Sequence, residues 1–297
     1  MTRIGFRVRN LHAIQTTLHF LGFITTPKLL PFLNALQRGG QQQEYDRLLA
    51  DAMQRYESLA VFHAGDSREI RSIPERSDLL VAKLQPRIYS FEAGDSIDSP
   101  GTEIPRAKIN AHLCAVLHVE GVRTSTLATR DMFVLMSKED VANRIEAVFK
   151  TRFSGSPKHR YKDLPEVPTR TGDTIAVNES HPPYVRFDWR NPPPDEDQVL
   201  PDGLADRFID VQAARQTVMT AYEALKQYLH FRDLEVMDGC FFLSQDGKVI
   251  CGEVSCDNMR FAYRGHNTTH HAVFNDRAKE NVLRQWSLIH ELLTRRK

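Results

Sequence analysis

Four short stretches of this sequence gather groups suited to anions. In "GEVSCDNMRF", Glu253, Asp257 and Arg260 follow an apolar run that reads as a strand. An arginine there can fork onto a phosphate or carboxylate, and a carboxylate can hold the arginine or coordinate Mg2+ through hard oxygens. "KTRFSGSPKHR" sets Ser154, Gly155 and Ser156 among Arg152, Lys158, His159 and Arg160, the chemical make-up of an anion-binding loop. "HAGDSREIRSI" places a glycine and small residues before Arg68. Backbone amides and a guanidinium can approach a phosphate there, although an exposed turn between strands has the same composition. "QPRIYSFEAGDS", with Arg87, Ser90, Glu92 and Asp95, reads equally as a solvated loop or as the polar rim of a pocket. His266 and His270 in "HNTTHH" are spaced i, i+4. Without the glutamate of an HExxH motif they read as surface histidines.

The elements that must position these groups belong to an ordinary globular chain. It has 297 residues, 41% hydrophobic and 26% charged, enough to bury a core. A formal net charge of +1 gives no global field for a nucleic-acid partner, so any anion site must be local. No run of about 18 uncharged apolar residues occurs, which argues against a membrane span. Arg7, Arg9, His12 and His19 interrupt anything resembling a secretory leader. Cys114, Cys240, Cys251 and Cys256 have no CxxC spacing and point to a reducing compartment, the cytoplasm.

Apolar spacing predicts helices before residue 59, with Gly39 and Gly40 as the break between two of them. "LAVFHAGDSREIRSI" and "DLLVAKL" read as strands around a "PERSD" turn, and "AKINAHLCAVLHVEGV" as a helix ended by Gly121. "MFVLM" and "IEAVFKTRF" read as a further antiparallel pair. Residues 154–201, rich in proline and polar side chains, read as a long functional loop or lid. A long helix follows, then an Asp246-Gly247 hairpin and a C-terminal amphipathic helix. This order describes an α+β protein.

Taken together and in order, these strings resemble the SAICAR synthetase (phosphoribosylaminoimidazole-succinocarboxamide synthase) family. "HAGDSREIRSIPERSDLLVAKL" is similar to its phosphate-loop hairpin and "PRIYSFEAG" to the segment after it. Lys108 stands where a lysine enters its helix, and "TRFSGS", "HPPYVRFD" and "GEVSCDNMR" follow in register from residue 60 to 261. The resemblance implies a two-part α+β fold with an ATP cleft between a smaller N-terminal antiparallel sheet and a larger C-terminal part. The expected division is 1–59 as a helical extension, 60–150 as the sheet-containing cleft domain and 151–297 as the substrate domain. It implies an ATP- and Mg2+-dependent ligase, possible as a homo-oligomer, that joins a heteroaromatic carboxylate to an amino acid such as aspartate. Gly65, Ser67, Arg68, Lys83 and Lys108 would then serve ATP. Arg260, Ser154, Ser156, Arg152, Arg87 and Ser90 would serve the substrates, and Glu253 and Asp257 catalysis. This chain departs from the family where Phe241 or Phe242 stands at a usual glutamate, Gly252-Glu253 at a usual Asp-Glu pair, Asp66 at a usual lysine and Cys256 at a usual proline. Glu253 with Asp238 would have to supply the metal from shifted positions. The alternative is a member of the same fold that recognises an anionic ligand without ATP.

Overall fold

The computed structural model describes residues 29–90, 95–153, 164–176, 178–191, 195, 197–267 and 279–295. The chain divides into two compact units, residues 1–44 and 45–297. Helix α1, Leu29–Gln54, runs straight through Gly39-Gly40, where a break is predicted. Interior glycines cost a helix about 1 kcal/mol each, a penalty that packing can outweigh. Its last turns bury Leu49 and Ala52 with Tyr56, Leu59, Val81, Ala128 and Leu135.

The second unit holds the first sheet, which is five-stranded and antiparallel in the order β1-β2-β3-β8-β7. These strands are β1 Val61–Ala64, β2 Arg68–Ser72, β3 Leu79–Leu84, β7 Thr126–Arg130 and β8 Phe133–Ser137. Strand alternation gives it two apolar faces. Leu79, Val81 and Leu135 face the end of α1, while Ile70, Leu80, Ala82, Leu84, Val134 and Met136 pack with Ala107. Ala107 belongs to helix α2, Glu103–Val119, which Gly121 ends at φ +80°. A small ribbon, β4 Arg87–Ser90 with β5 Asp95–Asp98, lies between β3 and α2 in sequence.

The larger sheet has eight strands: β6 Arg123–Thr124, β9 Ile145–Arg152, β10 Ser180–Trp189, β11 Gln198–Leu200, β12 Leu234–Leu243, β13 Val249–Cys251, β14 Met259–Tyr263 and β15 His266–Asn267. One face packs on helix α4, Val211–His230, and on α2, with α5, Lys279–Thr294, in the same core. A short helix, α3 Asp202–Ala205, precedes α4. The break comes at Asp210, whose side chain accepts a hydrogen bond from Ala213 N and starts α4 afresh. Two expectations are corrected. The segment predicted as an irregular lid contains β10 and β11, because Tyr184 to Trp189 can bury alternate residues against β9. Strands β8 and β9 belong to different sheets instead of pairing with each other. All four cysteines are unbridged. Among the described residues, no helix is long and apolar enough to cross a membrane.

The β12–β13 turn is locked onto α4. Gly247 has φ +68°, and a methyl group there would lie 2.4 Å from Ala214 N and 2.7 Å from Asp210 O. Gly247→Ala is therefore expected to cost about 2–4 kcal/mol, from left-handed strain plus overpacking against backbone that cannot yield. Urea denaturation of the variant measures it directly.

Candidate functional site

The larger sheet is apolar on one face and charged on the other. Ala147, Phe149, Val185, Phe187 and Phe241 fill the core, with Phe149 against Tyr222. The intervening positions carry Glu146, Lys150 and Arg152 on β9, Arg186 and Asp188 on β10, Asp238 on β12 and Arg260 on β14. Asp188 stands directly opposite Glu146, and both are buried. Burial pushes both carboxyls up, and the paired arginines pull them down. Arg186 donates to Asp188 at 2.8 Å, and Arg190 pairs with Glu146. Charge of this density inside a sheet is unfavourable for folding unless each group is held. Such clusters are where functional sites are found.

Asp238 is the hub. Its carboxylate accepts Lys150 Nζ at 2.7 Å and the forked guanidinium of Arg260, with Nε at 2.6 Å. The register explains this, since Asp238 has Lys150 on one side and Arg260 on the other. Burial acts to raise the Asp238 carboxyl, but hydrogen bonds and charge from Arg260 and Lys150 hold it down at about 2.

The stretch after β13 is tied down at nearly every residue. Gly252 N donates to Ser125 Oγ at 3.1 Å, Val254 N to Asn110 Oδ1 at 2.8 Å and Ser255 N to Asn258 Oδ1 at 2.9 Å. Asn258 in turn donates to Cys240 O and Glu253 O. Glu253 accepts Ser255 Oγ and forms a 2.8 Å ion pair with Arg106 Nε of α2. Nε–H does not point along that contact, so the attraction is one of charge more than of a directed hydrogen bond. Arg106 also donates to Ser67 O at 2.7 Å and Gln85 O at 3.3 Å. One buried side chain thereby joins the β1–β2 turn, the end of β3 and the "GEVS" segment after β13. Burial drives the Glu253 carboxyl up, Arg106 opposes this and Asp257 reinforces it.

Arg68 lies in the same cleft. A methyl group at Gly252 would sit 2.7 Å from Arg68 Nη1, and Gly252 itself has φ +95°. Here only glycine leaves room for the guanidinium. Arg68, Asn110, Gly252 and Glu253 line a cavity of about 10 Å³ with Ala82, Leu84, Val134 and Met136, room for about one water. Burial weakens the hold of Arg68 on its proton, while Glu253 and Asp257 favour the charged form. Among the described residues its guanidinium makes no hydrogen bond or ion pair, and the same holds for the Asp257 carboxylate.

The structure brings Arg68, Glu253 and Asp257 to one cleft and sets Asp238 and Arg260 on the adjoining sheet face. Ser67 contributes its carbonyl there, and Gly65 is exposed in the turn above. Other expected residues lie elsewhere. Lys83 alternates onto the opposite face of β3, bonded to Glu57 at 3.1 Å and over the Tyr56 and Phe133 rings. Lys108 is exposed, and its charge acts on His290 of α5. Arg152 is held by Glu235 and Asn178 O, and Arg87 by Ser96. Ser154, Ser156 and His270 lie outside the described residues, as do the side chains of Ser90 and His266. Arg106, Asn110, Lys150 and Arg190 do not stand out in the sequence. Their only signal is a charge or amide at an otherwise apolar helical or strand position.

No family model matches the sequence. A curated relative, bifunctional cordycepin biosynthesis cluster protein 3 of Cordyceps militaris, is 24% identical over 282 residues, covering 77% of this chain and 32% of the relative. The chain thus spans about a third of that relative's length. Among solved structures, a Type-2 SAICAR synthetase in complex with ADP matches 80% of this chain and 99% of its own, at 18% identity and a TM-score of 0.66. The chain has the SAICAR synthetase fold. The Ehrlichia chaffeensis phosphoribosylaminoimidazole-succinocarboxamide synthase covers the same 80% at 14% identity and TM-score 0.65. The Saccharomyces cerevisiae SAICAR synthase complexed with SAICAR covers 80% at 14% identity and TM-score 0.61. The resemblance carried by the ordered strings is therefore a resemblance of fold, with low identity throughout.

The donors suit Mg2+ poorly. Both Asp238 oxygens are taken by cations and Glu253 is shared between Arg106 and Ser255. Among the described residues, no group of three or more His, Cys, Asp or Glu side chains is arranged to hold an ion. A divalent cation at Glu253 would also face Arg68 and Arg106 at close quarters, a like-charge repulsion. Glu253 and Asp238, expected to share a metal, lie in two separate ion-pair centres.

Proposed function

We propose that this chain is an ATP-dependent carbon–nitrogen ligase of the SAICAR synthetase type. It joins a heteroaromatic carboxylate, carried on a nucleotide or nucleoside, to the amine of an amino acid such as aspartate. The observation that carries this reading is the match over nearly the full length of an ADP-bound SAICAR synthetase, in a chain that keeps a charged, buried sheet face beside the cleft. The name of the Cordyceps relative supports a setting in specialised nucleoside metabolism.

ATP, when bound, supplies the phosphoryl group that turns the carboxylate into a better electrophile. The chain's own residues hold and orient. The cleft opens between the apolar face of the first sheet and the "GEVS" segment after β13, and Arg68 neutralises charge there. Arg260, held with the buried Lys150 by Asp238, offers a fixed guanidinium to the substrate's phosphate or carboxylate. Asp257, whose carboxylate makes no hydrogen bond or ion pair among the described residues, would take the proton that the attacking amine must lose.

Purified protein given ATP, a panel of azole carboxylates and amino acids is expected to release phosphate and form an amide detectable by mass spectrometry. Release should need both co-substrates. No release above background in any combination, with or without Mg2+, overturns the reading. The engaged state of Glu253 and Asp238 favours one alternative, an ATP-independent binder of an anionic ligand. It would show thermal stabilisation by anions and none by ATP.

A further inference from the structure

We infer that Arg68, seated over Gly252, binds the phosphoryl group of its ligand directly and stands in for a divalent cation, so that phosphoryl binding by this chain is independent of Mg2+. This deepens the ligase reading and rests on it for the nucleotide, though not for the phosphoryl group. Three observations carry it. The Arg68 guanidinium is partly buried at a cavity yet makes no hydrogen bond or ion pair among the described residues. Its donors are therefore available, and a planar fork of N–H groups matches phosphate oxygens bidentately. Position 252 carries no side chain, and its backbone at φ +95° passes close to Nη1. A carboxylate able to hold a metal has no space there while Arg68 is in place. Finally, Glu253, which lines the same cavity, already forms an ion pair with Arg106, so the Arg68 fork is not shared with it among the described residues.

The test is calorimetric titration of the full chain with ATP, ADP and inorganic pyrophosphate, each in EDTA and again in excess Mg2+. Equal affinity in the two buffers is expected. Arg68→Ala should weaken binding about ten- to a hundredfold, the loss of one charge-assisted contact, with Arg68→Lys in between. Melting temperatures check that both variants fold, which is expected because Arg68 makes no ion pair. Binding that vanishes in EDTA, or that Arg68→Ala leaves unchanged, overturns the inference. Pyrophosphate binding that depends on Arg68, without ATP binding, would uphold it and sink the ligase reading. No binding of any of the three overturns it.

Discussion

Arg106→Met should destabilise the protein by about 3–5 kcal/mol, the cost of leaving one member of a buried ion pair unpaired. The Arg106 side chain is fully buried and that of Glu253 is 8% exposed, so water cannot replace the lost guanidinium. Ser67 O and Gln85 O lose their donor in the same step. Burial already raises the Glu253 carboxyl, and removing Arg106 takes away the main force opposing that rise. A carboxyl raised in the folded state carries a penalty that is small below its unfolded pKa and complete above its folded one. The variant's deficit should therefore be smaller at pH 5 than at pH 8. Adding Glu253→Gln should recover part of the loss, since the orphaned charge is gone. Denaturant midpoints of the four proteins at two pH values decide this. An additive double variant, or a deficit independent of pH, would show that the Arg106–Glu253 pair is not what holds the cleft together.

Asp238→Asn should cost about 3–5 kcal/mol for the same class of reason, with the sign of charge reversed. The neutral amide leaves Lys150 and Arg260 close together without their shared counter-ion, in a place where their side chains are 5% and 13% exposed. The pH dependence again identifies the residue. The Asp238 carboxyl sits at about 2, below its ordinary value of 3.8. A depressed carboxyl contributes stability that is present above the unfolded pKa and lost as pH falls through the folded one. Wild-type protein should thus lose about 2 kcal/mol between pH 4 and pH 2 through this group, and the variant should lack that component. Acid titrations followed by circular dichroism compare the two. Parallel curves would refute the assignment of Asp238 as the buried hub.

Much of the architecture was legible because it rests on local signals. Alternation marked β3 and β9, three- and four-residue spacing marked α2 and α4, and Asp246-Gly247 marked the β12–β13 turn. Local signals failed at two places. Helix α1 crosses two glycines, and the proline-rich stretch still yields β10 because its later residues pair with β9. Lys83 shows the limit for the site. It lies on the expected strand but bonds Glu57 on the face opposite the one that lines the cavity, since a period of two assigns alternate residues to opposite sides without saying which side is the cleft.

By itself, the sequence determined that this is an α+β chain without strong net charge, and that strings of anion-suited composition, "HAGDSREIRSI" and "GEVSCDNMRF" among them, follow one another in the SAICAR synthetase order. Those properties are carried by neighbours along the chain. Tertiary structure alone decided the partners. Glu253 pairs with Arg106, Asp238 with Lys150 and Arg260, and Arg68 with the space that Gly252 leaves open. These contacts join residues from 22 positions apart for Asp238 and Arg260, through 88 for Lys150 and Asp238, to 184 for Arg68 and Gly252. They exist only because strand register and helix packing bring them within a few ångströms. Charge interactions fall off with distance and depend on burial, and neither quantity is written in the order of the residues.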